Sequence, residues 1–356
     1  MAALKFSGPV LPDGEPRELY VVAGRITYER PTGAEAGGEG WIVPGPVDAH
    51  CHLGLDDFGA TGEEETEQQA LDDRDGGALL IRDAGSAADT RWIQDRDDLP
   101  RLIRCGRHIG RTKRYIRNYA HEVEPDQLAS YAAQEARAGD GWIKLVGDWI
   151  DRDEGDLAPS FPVDAFAAAI DAAHAEGAKV TAHCFGAGVL PGLIRAGIDC
   201  IEHGTGLSED LVDEMVARGT ALVPTIMQLD LFPEHAAAGG ARFPDYAATM
   251  TDLYRRMPAT IMAAYEAGVP IYAGSDGGGI SRHGNIAGEV EALHRIGIPA
   301  ADALGAASWR AREWLGHAGL EEGAPADFVV YGEDPLSDLS ALRRPARIVL
   351  RGRIVG

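Results

Sequence analysis

The 356-residue chain is 45% hydrophobic and 25% charged, with a formal net charge of −23. That profile excludes disorder, and the missing positive field excludes nucleic acid or an anionic membrane as its main partner. A chain of this length buries roughly 75% of its unfolded surface, enough for a sizeable core; with polyanions excluded, a small-molecule substrate is the expected partner, with homo-oligomerisation left open. The four scattered cysteines, Cys51, Cys105, Cys184 and Cys200, form no Cys-x-x-Cys pair and read as reduced thiols. Residues 1–10 hold neither a charged n-region nor an apolar run of signal-peptide length. No stretch approaches ~20 consecutive apolar residues, and a cytoplasmic location is expected.

In chain order, residues 1–46 hold short β-like runs, Leu19 to Ala23 and Arg25 to Tyr28, broken by turns such as Pro31 to Gly33 and Gly37-Gly38. The segment from Ala326 reads the same way, with Asp327 to Tyr331, Ala346 to Leu350 and Arg353 to Val355. The two ends are expected to pair into one small β-sandwich domain, 1–46 plus 326–356. Between them, eight apolar runs alternate with helical stretches: Gly45 to Ala49, Ala78 to Ile81, Leu102 to Cys105, Trp142 to Val146, Lys179 to Ala182, Cys200-Ile201, Ala221 to Pro224 and Val269 to Ala273. Val163 to Glu176 and Glu209 to Arg218 have helical periodicity and stop at Gly177 and Gly219, where a C′ glycine belongs. Eight strand-helix alternations predict an α/β fold, a (β/α)8 TIM-type barrel over residues 47–325, with a doubly wound sheet as the competing topology. Irregular stretches after the first, fourth and seventh strands, Leu55 to Gln69, Gly147 to Ser160 and Gln228 to Tyr246, are candidate substrate loops, because barrel sites are built at the carboxyl ends of strands.

His50 and His52 end the first strand, and an i, i+2 spacing puts both imidazoles on one face, within reach of one metal ion. His183 follows the fifth strand and His203 the sixth, each before a glycine-containing turn. Asp276 ends the eighth in Gly274-Ser-Asp276, where a carboxylate can bind metal and accept a proton from an attacking water, or simply make an Asx turn. Lys144 interrupts the apolar run of the fourth strand. Apolar neighbours disfavour the ammonium and make the neutral amine available for chemistry, the alternative being an edge position or a buried ion pair.

Taken in order, Val47 to His52, Ile143-Lys144, Thr181 to His183, Ile201 to Gly204 and Gly274 to Asp276 resemble the metal-binding set of the amidohydrolase superfamily. The resemblance is closest to its imidazolonepropionase-like and Xaa-Pro dipeptidase-like branch. It extends through Leu80 to Gly85, Pro224-Thr225, Ala303 to Ala307 and Gly323 to Val330. It implies two divalent metal ions, zinc by preference. His50, His52 and Asp276 would hold one, His183 and His203 the second, with Lys144 carboxylated by carbon dioxide to bridge them. Asp276 and His203 are the implied catalytic pair, and a metal-bridging hydroxide would attack an amide or related C–N bond, in a dipeptide such as Xaa-Pro, an N-acyl amino acid or a cyclic amide.

The chain also departs from that branch. Gly106 to Tyr115 stands where a Gly-Gly-His run is frequent, Val146 to Trp149 where the branch is often glycine-rich, and His183 to Gly186 lacks the glutamate that deaminases carry. The alternatives are a lactone or phosphoester hydrolase, a mononuclear-metal deaminase, or a non-catalytic relative. Tyr115, Trp149, Phe185 and His283 are candidate substrate contacts, and Cys51 and Cys184 read as packing. The basic cluster Arg107, Arg111, Lys113 and Arg114 either docks a substrate carboxylate or belongs to a solvated loop.

Overall fold

The computed structural model describes residues 3–279 and 281–355. Its parallel framework consists of β1 (Val47–Cys51), β2 (Leu80–Asp83), β3 (Arg101–Arg104), β4 (Trp142–Val146), β5 (Lys179–Cys184), β6 (Cys200–His203) and β7 (Ala221–Val223). Strands β3, β2 and β1 form one parallel sheet, and β4 to β7 lie side by side in a second. The eighth expected strand is reduced to single parallel bridges, Leu222 with Ile271 and Cys51 with Gly277. Ala49 N donates to Ala273 O at 2.9 Å and Asp276 N to His50 O at 2.7 Å. The ladder is sparse because Pro270 has no N–H to give. Gly274 lies so close to β1 that a Cβ there would sit 2.5 Å from the Cβ of His50. At the other seam, Asp140 N donates to Arg104 O at 2.9 Å, and Ile109–Arg111, which continues the chain beyond β3, meets β4 at Leu145.

Alternation along the strands sorts their side chains. Ile143, Leu145, Val180 and Ala182 pack outward among the helices Leu128–Ala138 and Val163–Ala175. Trp142, Cys200, Val47 and Ala221 belong to an interior cluster. Lys144 shares the parity of Trp142, and Glu202 that of Cys200, so both face inward although they are charged and buried. The helices Val163–Ala175 and Glu209–Arg218 fall where periodicity predicts them, and Gly219 closes the second in the left-handed region at φ 70°.

The expected pairing of the two chain ends takes the form of one continuous mixed sheet of eight strands. Trp41–Pro44 runs antiparallel to Phe328–Tyr331 with Val43 opposite Val329, and Phe6 meets Phe328 edge to face with ring centroids 4.9 Å apart. The three stretches read as irregular loops contain regular structure. Leu55–Asp56 pairs with Gly59–Ala60, and the helix Glu63–Asp75 follows, its first turn carrying Glu63, Glu64 and Glu65 where the helix dipole favours negative charge. Asp148–Asp151 and Asp156–Pro159 form an antiparallel hairpin. Helices Phe232–Gly240 and Pro244–Ala267 occupy most of the third stretch, each with a proline at its start, where the missing N–H is harmless. Among the described residues no helix is long and apolar enough to cross a membrane.

Phe328 is fully buried between the two ends of the chain. Phe328→Ala is expected to cost about 3–5 kcal/mol, the usual range for emptying a buried phenylalanine site, seen as a lower urea midpoint.

Candidate metal centre

Six donors converge at the carboxyl ends of the parallel strands, and backbone irregularities put four of them there. Val47 and Ala49 face the interior cluster, so plain alternation would turn His50 away. A register shift between Asp48 and Cys51 brings His50 and His52 together, with ring centroids 5.0 Å apart. On β6, Glu202 already takes the inward place. His203, its neighbour, enters the site only because its own φ is +67°, in the left-handed region. Thr225 (φ 49°) and Asp276 (φ 54°) share that conformation, so three strained residues surround one site, as is common where function fixes geometry.

The tautomers follow from the partners. His50 donates Nδ1–H to Glu202 Oε2 at 2.7 Å, and His52 donates Nδ1–H to Gly85 O at 2.8 Å. Both Nε2 lone pairs then point inward, 3.2 Å apart. Asp276 Oδ1 lies 3.2 Å from His50 Nε2 and 3.1 Å from His52 Nε2. Lys144 Nζ is 3.3 Å from His50 Nε2, and His183 Nδ1 is 2.9 Å from His203 Nε2. His203 is oriented from behind through Nδ1 and Thr225 Oγ1, 2.7 Å apart.

Two imidazole lone pairs aimed at each other beside a buried carboxylate are repulsive unless a cation lies among them. The ligand atoms of His50, His52 and Asp276 lie within 4.8 Å of one another, the spacing a single ion requires. The donor set therefore fits the divalent metal that the family uses.

Electrostatics point the same way. Burial alone would raise the Asp276 carboxyl, but His50, His52 and His203 hold it well below its ordinary value. Burial would raise Glu202 too, yet the Arg82 guanidinium and the His50 ring keep it ionised. Burial lowers His183 well below the ordinary imidazole range and His203 to about 3, so both offer neutral nitrogen to a ligand. On His50, burial and then Lys144 oppose protonation, but Glu202 and Asp276 prevail and its value is raised. These carboxylates draw positive charge to that position.

A cavity of about 410 Å³ opens onto the donors. Tyr115, Trp149 and Phe185 line it, and each of the three candidate substrate loops contributes to its wall, through Asp57, Trp149, and Gln228 with His235 and Tyr246. His283 does not reach it. Its Nδ1 lies 2.8 Å from Asp73 Oδ2 behind the site, with Cys51 nearby. The basic cluster is also turned away: Arg107 donates to the carbonyls of Tyr119 and Asn118, Arg111 pairs with Glu124 at 2.7 Å, Arg114 pairs with Asp151 at 2.9 Å, and Lys113 is exposed.

Sequence reasoning gave no role to Glu202, Arg82, Asp148 or His108. Arg82 Nη2 donates to Glu202 Oε1 at 2.7 Å, and its guanidinium stacks near Trp142 and Trp314. A glutamate and an arginine within apolar strands were the available signal. Asp148 accepts from Phe185 N at 2.9 Å and Gly186 N at 2.5 Å and so fixes the turn after His183. Burial raises its carboxyl to about 7. His108 lies 4.9 Å from the His52 ring, fully buried, with neither ring nitrogen partnered among the described residues.

Two outcomes follow from these contacts. Arg82→Met strands the buried Glu202 charge, and is expected to cost about 3–5 kcal/mol in chemical denaturation and to weaken metal retention at His50. For His283, burial opposes protonation, but Asp73 prevails and the folded-state value lies above the ordinary ~6.5. The stabilisation it gives is complete below that pH and fades as pH rises through the folded value. His283→Gln should remove that part of the loss of stability above about pH 6.5, read by urea unfolding across pH.

Comparison with known proteins agrees with the geometry. Residues 41–355 match the amidohydrolase family. The chain is 54% identical over 355 residues to an uncharacterised protein of Mycobacterium tuberculosis and to one of Mycobacterium bovis, covering 99% of this chain and 96% of each relative. A Xaa-Pro dipeptidase with bound methionine superposes with TM-score 0.83 at 22% identity, covering 99% of both chains. Ochratoxinase from A. niger superposes with TM-score 0.82 at 18% identity, covering 99% of this chain and 96% of that one. The chain belongs to the amidohydrolase family and is a metal-dependent hydrolase acting on carbon–nitrogen bonds.

Proposed function

We propose that the chain hydrolyses an amide bond of a small molecule through a binuclear centre held by all six converging donors. The observation that carries this reading is the pair of inward imidazole lone pairs at His50 and His52, 3.2 Å apart, beside the buried carboxylate of Asp276. His50, His52 and Asp276 would hold one ion, and His183 with His203 the other. Four imidazoles suit zinc. Lys144, carboxylated by carbon dioxide with loss of a proton from its amine, would supply the remaining ligand as a carbamate. Support for that role comes from its place on the inner face of β4, 3.3 Å from His50 Nε2. The convergence also supports closure of the two parallel sheets into one eight-stranded (β/α)8 barrel over 47–325, with 1–46 and 326–356 as the terminal β-domain.

Bound metal would supply acidified water and polarisation of the scissile carbonyl. Asp276 takes the proton of the attacking water and returns it to the leaving nitrogen. Glu202 fixes the tautomer of His50, Gly85 that of His52, and Thr225 orients His203, so none must rearrange during turnover. Trp149, Tyr115 and Phe185 wall the cavity and keep bulk water from the reacting carbon.

Metal content by plasma mass spectrometry, on protein made with zinc and bicarbonate and without chelator, is expected to give two ions per chain, falling towards one in Lys144→Ala. One ion in the unsubstituted protein would overturn the binuclear reading. Asp276→Asn is expected to lower kcat about 10²- to 10⁴-fold, the usual weight of a general acid–base.

A further inference from the structure

Resting on the binuclear reading, we propose that Glu289 is a positioning residue of the metal centre: by taking the backbone amides after Thr225, it frees the Thr225 hydroxyl to hold His203. Glu289 lies on the helix Ile286–Arg295 and is fully buried. Ile226 N donates to its Oε1 at 2.8 Å and Met227 N to its Oε2 at 3.0 Å. Those two amides open the short helix Ile226–Leu229, whose N-cap is Thr225. A threonine in that place ordinarily binds such amides with its own hydroxyl. Here it makes no such bond, and its Oγ1 lies instead 2.7 Å from His203 Nδ1.

The core gains nothing from a carboxyl at this position. Ile286, Ala287, Val290 and Leu293 of the same helix are buried in apolar contact, and an apolar side chain beside them would cost less than a buried polar one. Burial pushes the Glu289 carboxyl up to about 8, the Met227 and Ile226 amides oppose the rise, and Asp48 and Asp230 add to it. The residue is therefore accounted for by the turn it clamps, and the turn by His203. In either protonation state both carboxyl oxygens keep a lone pair for an N–H, whereas the nitrogen of a glutamine side chain has none. A parallel stands across the site, where Asp148 takes the amides of Phe185 and Gly186 after His183. Each of the two imidazoles assigned to the second ion thus has a buried carboxyl fixing the backbone that supports it.

The test measures the two successive zinc affinities by chelator competition in the unsubstituted protein, Glu289→Gln, Thr225→Val and the double variant, with His183→Ala identifying which affinity belongs to the second ion. Glu289→Gln leaves one amide without an acceptor, the Thr225 hydroxyl turns to cap it, and His203 loses its support. The expected result is a loss of about 10- to 100-fold in the affinity of the second ion, the usual weight of a group behind a metal ligand, with the other affinity unchanged. Thr225→Val should show the same selective loss. The double variant should lose no more than Thr225→Val alone, because no hydroxyl remains to be drawn away. Unchanged affinities, equal losses at both ions, or losses that add in the double variant would overturn the inference and leave the binuclear reading standing. A single ion in the unsubstituted protein would overturn that reading and this inference with it. Glu289→Asp, whose shorter arm withdraws the oxygens from the amides, serves where Glu289→Gln yields no folded protein, with the same pattern expected and the same outcomes decisive.

Discussion

A single buried carboxylate, Glu202, joins the core of this protein to its chemistry. One of its oxygens receives Arg82 from the apolar interior and the other receives His50 from the metal centre. Thr181 adds its hydroxyl, so the carboxylate is paired on every side, and that full pairing is what allows a charge at zero exposure. The arrangement makes packing and catalysis interdependent. The guanidinium sits against Trp142 and Trp314, so the aromatic floor fixes Arg82, Arg82 fixes Glu202, and Glu202 fixes which nitrogen of His50 faces His52 and Asp276.

Around that axis the site depends on backbone departures from ideal strands. His203, Thr225 and Asp276 hold left-handed φ values although each carries a Cβ, and β1 changes register between Asp48 and Cys51. Regular strands would alternate side chains strictly and could not turn both Glu202 and His203 towards the same interior. The surrounding hydrogen bonds hold these positions in place. Asp48 accepts from His50 N and Ser275 N, and Asp148 fixes the turn that follows His183.

Much of this was legible in the sequence, for identifiable reasons. Strand-end histidines are conspicuous, and a lysine inside Trp142 to Val146 conflicts with its neighbours, so the six donors stand out. Paired ends of the chain were legible because both read as short β-runs between turns. The helices within the first and third candidate substrate stretches were not, because acidic and Ala-Gly composition over 55–69 and 228–246 resembles loop until the neighbours it packs on are known. Glu202 and Arg82 were also missed. Each is a charged residue in an apolar strand, but the role of each arises from a contact between residues 120 positions apart that neither strand shows by itself. For the basic run from Arg107 to Arg114 the sequence left a carboxylate site or a solvated loop open, and the fold uses its arginines to anchor the loop to Glu124, Asp151 and local carbonyls.

The terminal sheet has a consequence for how the molecule comes into being. Trp41–Pro44 takes its antiparallel partner from Phe328–Tyr331, nearly the whole chain later. During synthesis, the first strands leave the ribosome with an open edge and an uncovered apolar face around Phe6, and they stay so until the last turns of the protein are made. Such distant contacts are slow to form because the intervening chain must first become ordered. The parallel strands can assemble in the order in which they emerge, whereas the sheet that joins the two ends closes last.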